Sequence, residues 1–171
     1  VPHRNGGIAM GEDDIWSGIF STENNLSYYG LADGLSREAK TRSDRDLFRL
    51  EKKGVTGWMQ SENYDPSTGL FKRGPSDTTN SFDVNSWALL AFGPARLQKT
   101  FGIGTDPSDA SAGNLVKNIE EVFGVQADGS FGGDILTAKG FDFSDASNAQ
   151  SASRTGMKWV EGSNHMVVAY K

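Results

Sequence analysis

Three short stretches of this chain put a carboxylate beside amides and hydroxyls at the head of an apolar run. They are Ser21-Thr22-Glu23-Asn24-Asn25, Phe82-Asp83-Val84-Asn85-Ser86-Trp87 and Trp159-Val160-Glu161-Gly162-Ser163-Asn164-His165. Two carboxylates flanking a glycosidic bond can hydrolyse it, roughly 5–5.5 Å apart for retention and 6.5–9.5 Å for inversion. One of them must keep its proton near neutral pH, which burial or a neighbouring acid arranges. Glu23, Asp83 and Glu161 supply such a pair if their helix starts share one end of a bundle. Glu161 has the best surroundings, with Trp159 as an aromatic wall and Gly162 allowing close backbone approach. The competing explanation is that the helix dipole favours an acid in the first turn by about 0.3–1 kcal/mol. Each acid alone is explained that way, and only their recurrence on three apolar helices argues for a pocket.

The neighbouring residue types suit a polar, ring-shaped ligand. Trp16, Trp87 and Trp159 can stack on sugar rings, and Asn24, Asn25 and His165 can hydrogen-bond hydroxyls. Trp87, inside an apolar helix, reads more readily as core, whereas Trp16 lies in a polar loop and is the better stacking candidate. His3 and His165 are the only histidines, and without an HExxH spacing no metal site is expected. No G-x-S-x-G elbow supports a serine triad. Glu12-Asp13-Asp14 reads as a solvated acidic loop. The run from Asp128 to Asp134 reads as a turn, because it lacks the twelve-residue calcium pattern. With no phosphate loop and no G-x-G-x-x-G, no cofactor is expected.

These groups need helices to hold them. Ser21 is a candidate N-cap for a helix from Thr22 to about Leu35, with Leu26, Tyr29, Leu31 and Leu35 as its apolar positions. Gly30 and Gly34 weaken it and suggest close approach of a second helix. An amphipathic helix with a charged, solvated back follows from Ser43 or Asp44 to Gln60, its periodic positions including Leu47, Leu50 or Glu51, Gly54, Val55, Trp58 and Met59. Tyr64 to Phe71 reads as a turn with short extended arms, followed by polar loop to Ser81. Asp83 to Phe92 is apolar almost all round and therefore buried. Gly93-Pro94 breaks it, and a short segment to Thr100 resumes. A fourth helix runs from Asp109 or Ser111 to Phe123. Gln126 to Gly133 reads as a turn cluster and Ala138 to Gly156 as loop. A fifth helix starts near Gly162 or Ser163 and runs to the end. The acids are spaced by 60 and then 78 residues, as in a helical-hairpin repeat with long inserted loops.

Composition bounds the rest. At 171 residues one domain with a real core is expected. A net charge of −5 gives no electrostatic reason to bind nucleic acid or an anionic membrane. No run approaches the ~18 apolar residues of a membrane span. Absence of cysteine excludes disulfides and thiol nucleophiles. Val1 at the start, and an apolar run from Met166 to Lys171 with no stop signal, suggest part of a longer protein.

The pieces Ser21 to Leu26, Tyr64 to Phe71, Asp83 to Leu90 and Trp159 to Ser163 are similar to segments of bacterial (α/α) toroid proteins that process glycans. The alternation of inner and outer helices resembles that of six-hairpin glycosidases. The resemblance implies an all-α chain, residues 1–171, forming an incomplete (α/α) toroid of helical hairpins with long loops, about half of one. It implies glycoside hydrolysis by Glu161, Asp83 and Glu23 without cofactor. Trp16, Asn24, Asn25, Trp87, Trp159 and His165 would hold an oligo- or polysaccharide. A secreted or periplasmic location and self-association through the missing half of the ring go with it. Three rivals stand beside hydrolysis. They are a glycan-binding protein without catalysis, a structural assembly piece, and a polysaccharide lyase using Tyr28, Tyr29 or His165.

Overall fold

A computed structural model describes residues 3–12, 15–106, 108, 113–131, 134–153, 163 and 165–167. The protein is mainly helical. A small hairpin, β1 (His3–Arg4) and β2 (Gly7–Ile8), precedes α1 (Thr22–Glu38) and α2 (Arg42–Trp58). A π-helical turn, Met59–Asn63, leads into the hairpin of β3 (Tyr64–Asp65) and β4 (Leu70–Phe71). Then come α3 (Phe82–Phe101), α4 (Leu115–Phe123), the hairpin of β5 (Gly124–Phe131) and β6 (Asp134–Phe141), and α5 (Ala146–Ser151). Ser163 and His165 to Val167 are again helical in backbone. Among the described residues no helix is long and apolar enough to cross a membrane.

Most helix starts behave as their residues dictate. Ser21 and Thr41 adopt extended backbone, and their hydroxyls accept the amides of Asn24 and Asp44, as N-caps do. Asn114, not Asp109 or Ser111, caps α4, its side chain accepting the Lys117 amide. Gly93-Pro94 breaks the helical backbone of α3, as expected, and the helix continues beyond the kink. Gly93 sits at φ 69°, ψ 163°, and the helix resumes after it to Phe101. That conformation is nearly closed to residues with a Cβ, while Pro94 suits the first turn of the resumed helix.

The core is built from α1, the end of α2, α3 along its length, α4 and the strand β4. Tyr29, Phe71, Phe92 and Phe101 form one aromatic cluster, with ring centroids of Tyr29 and Phe92 4.7 Å apart. Trp58, fully buried, stacks at 5.9 Å from Phe20 beneath the first hairpin. Each such ring contributes about 1.5–3 kcal/mol by leaving water.

Several expectations are corrected. The segment read as a turn cluster followed by loop forms β5 and β6, paired from Gly124↔Phe141 to Phe131↔Asp134. Backbone pairing holds it, which polar and glycine-rich composition does not reveal. Leu31, Leu35, Leu47 and Leu50, expected on buried faces, are all exposed. The buried positions are instead Leu26, Tyr29, Ala32 and Ser36 on α1 and Val55 and Trp58 on α2. At Gly30 and Gly34 nothing stands within 4 Å of where a Cβ would be, so neither marks a close helix crossing.

Candidate functional site

The three recurring stretches follow one structural rule. Asn25 accepts the Ile8 amide at 2.8 Å and donates to the Ile8 and Ser21 carbonyls. Asn85 accepts the Phe71 amide at 2.7 Å and donates to the Phe71 and Ser81 carbonyls. Ser163 accepts the Phe141 amide at 3.2 Å. Ile8, Phe71 and Phe141 each end the second strand of a hairpin. Each clamp residue therefore pins a hairpin to a helix start. The acid stands two positions earlier every time: Glu23, Asp83 and, in sequence, Glu161.

A second set of bonds repeats in the same register. The Thr22 amide donates to the Arg73 carbonyl and the Phe82 amide to the Phe143 carbonyl, both acceptors lying two residues past a hairpin. The Lys72 amide donates to Asn63 and the Asp142 amide to Phe123. The exits of the second and third hairpins thus anchor the starts of α1 and α3.

Between those two starts lies a cleft of about 740 Å³. Glu23 and Asn24 of α1 line one side, and Asp83 and Val84 of α3 the other. The strap from Arg73 to Thr78 and the segment Gly18 to Phe20, with Met10, complete it. The strap presses close: a Cβ on Gly74 would fall 2.8 Å from the Phe20 carbonyl oxygen. Glu23 and Asn24 are exposed and Asp83 is half-buried. Asp83 Oδ1 accepts the Ser81 hydroxyl and, at 2.8 Å, the Val84 amide. Asp83 is therefore not the N-cap of α3, which is Ser81, though it does serve one free amide of the first turn. Those two bonds fix its rotamer at the cleft wall. Arg73 reaches Asp77 at 3.8 Å, both side chains partly exposed, a pair worth little by itself.

The sequence-derived site divides into three groups. Glu23, Asn24 and Asp83 meet in the cleft. Asn25 does not: it is fully buried and its amide is spent on backbone, so its role is to hold the hairpin, not a ligand. Trp87 and His165 meet each other, ring centroids 6.0 Å apart, but do not line the cleft. Trp87 is half-buried against the core. Ser86 donates its hydroxyl to the Asp83 carbonyl at 3.0 Å, which leaves its oxygen to accept from His165 Nδ1 at 3.2 Å. Trp16 is 44% exposed in the loop that supplies Gly18 and Ile19 to the cleft. Glu161 and Trp159 lie outside the described residues.

The strap, and Met10 and Ile19 of the cleft lining, were missed in the sequence, whereas Trp16 was expected as a stacking residue. Met10, Ile15, Trp16 and Ile19 are all exposed around the cleft mouth or its entry loop. The cue was the density of large apolar residues, Ile15, Trp16, Ile19 and Phe20, in a segment with no helical period. Among the Tyr residues weighed for lyase chemistry, Tyr29 is 1% exposed. Burial, then the charge and hydrogen bond of Glu51, push the Tyr28 hydroxyl up from its ordinary value, away from the phenolate a base would need. Among the described residues no group of three or more His, Asp or Glu is placed to hold a metal ion. Compared with known protein families, curated proteins and solved structures, the chain matches none.

Proposed function

We propose that the protein is carbohydrate-active, and that the cleft between α1 and α3 hydrolyses a glycosidic bond with Glu23 and Asp83, joined by Glu161. One observation carries this reading. Two carboxylates from helix starts that are 60 residues apart in sequence line one cleft, together with the apolar Met10, Ile19 and Phe20. Paired carboxylates supply acid and base, and flat apolar surfaces suit the C–H faces of sugar rings. The hairpin-to-helix bonds, repeated in register, support the (α/α) toroid reading. In that architecture each helical hairpin hands over to the next in the same way, which places successive acids around one mouth.

The test is a panel of neutral and acidic polysaccharides incubated with the protein and assayed for new reducing ends. Hydrolysis releases them without an absorbance rise near 235 nm, whereas a lyase product absorbs there. Saturable binding with no new reducing ends would instead favour a glycan-binding protein.

A further inference from the structure

A second concavity has the opposite charge. It runs along the outer face, between α2 and the part of α3 beyond Gly93, with a volume of about 680 Å³. Arg49, Lys52, Lys53, Arg96 and Lys99 line it, and no carboxylate does. This happens in a chain with 22 acidic and 17 basic residues, so net charge does not explain the clustering.

The cations are not equivalent. Lys52 is neutralised by Asp33, which stands outside the groove, and its Nζ also sits 5.8 Å from the Tyr29 ring centre. Arg49 reaches Asp46 only at 3.6 Å, with both side chains well exposed. Lys53, Arg96 and Lys99 form no ion pair among the described residues. Arg96 is nonetheless held in place, its guanidinium 5.4 Å from the centre of the buried Tyr29 ring. A guanidinium stacked on an aromatic face keeps its in-plane donors for an oxyanion.

We propose that this groove binds an acidic polysaccharide, one carrying carboxylate or sulfate groups along its length. Three arguments select that ligand. The positions from Arg49 to Gln60 cover roughly 16 Å at about 1.5 Å per helical residue, too long for one small anion and suited to a chain with repeated charges. The aromatic residues beneath the groove, Phe92 and Tyr29, are buried, so no exposed ring is offered for base stacking as single-stranded nucleic acid recognition uses. The choice of a glycan among polyanions rests on the carbohydrate reading of the cleft. The groove would hold an acidic chain on the outside of the molecule while the cleft works on its bonds.

The experiment is a binding titration at low and high salt with heparin, polygalacturonate, neutral dextran and a thymidine 20-mer. The wild-type protein binds heparin and polygalacturonate, less tightly as salt rises, and does not bind dextran through the groove. Lys53→Gln with Lys99→Gln, both at exposed positions, weakens binding of the acidic polymers by about tenfold or more, while Lys40→Gln, exposed and outside both the groove and the cleft, leaves that binding unchanged. The proposal is overturned if neither acidic polymer binds, if the double variant binds as the wild type does, or if the thymidine 20-mer binds more tightly than both glycans. The two readings fail separately. Cleavage of a glycan without groove binding removes only the groove. Groove binding without cleavage of any glycan removes hydrolysis and leaves the groove.

Discussion

Asn25 and Asn85 show how side chains of one type divide between structure and function. Each replaces a missing strand partner, taking an amide and returning a bond to the carbonyl of the same residue. Removing the side chain leaves a buried amide and carbonyl without partners, at about 1–3 kcal/mol each. Asn85→Ala is expected to lower stability by roughly 2–4 kcal/mol in urea unfolding, and Asn25→Ala similarly. Asn24→Ala, one position along and exposed, should change it by less than about 0.5 kcal/mol. Equal losses at Asn24 and Asn25 would contradict the clamp. The difference was legible in part. Asn25 shares a helical face with Leu26, Tyr29 and Ala32, all buried, whereas Asn24 is off that face. What the sequence could not reveal is the partner, because Ile8 lies in a hairpin too short to have a strand signature.

At the scale of elements, glycines separate by backbone. Gly93→Ala forces a Cβ into a conformation that costs about 1–3 kcal/mol and should lower the melting temperature. Gly30→Ala, in helical backbone with open space around it, should raise stability by up to about 1 kcal/mol. Calorimetry of the two variants checks both signs, and a stabilising Gly93→Ala would refute the bend. The turn between β3 and β4 carries a pH dependence. The Ser67 hydroxyl, then its amide, hold the Asp65 carboxyl below the usual carboxylate range. A carboxyl whose folded value is lowered stabilises the fold above its unfolded value, and that contribution is lost as pH falls through the folded value. Asp65→Asn should therefore flatten the acid limb of the stability–pH profile, and an unchanged limb would count against the turn's role. Helices were legible because caps and apolar period agree at Ser21, Thr22 and Leu26. The hairpin of β5 and β6 was not, since residues 126 to 133 are mostly small or polar. The Gly132-Gly133 pair in the sequence was the available cue.

For the whole molecule, the register of acids, clamps and hairpin exits is the main result. Acids at 23 and 83 repeat with their clamps and with the strands that those clamps pin. The same order returns at 161 and 163, where Ser163 takes the Phe141 amide. The recurrence in sequence is thus a recurrence of construction, and it exposes two of its acids on one cleft. That convergence was an expectation from the sequence. The strap from Arg73 to Thr78 was not, because loop residues become a wall only once two helix starts are set beside each other. We propose that the acids of this cleft cleave a glycosidic bond. The most direct test measures reducing-end release from a responsive polysaccharide by the wild type and by Glu23→Gln, Asp83→Asn and Glu161→Gln, each checked for native folding. Asp83→Asn and at least one of the two glutamate variants are expected to lose activity by about 10²-fold or more. Folded variants that all retain wild-type rates would contradict it.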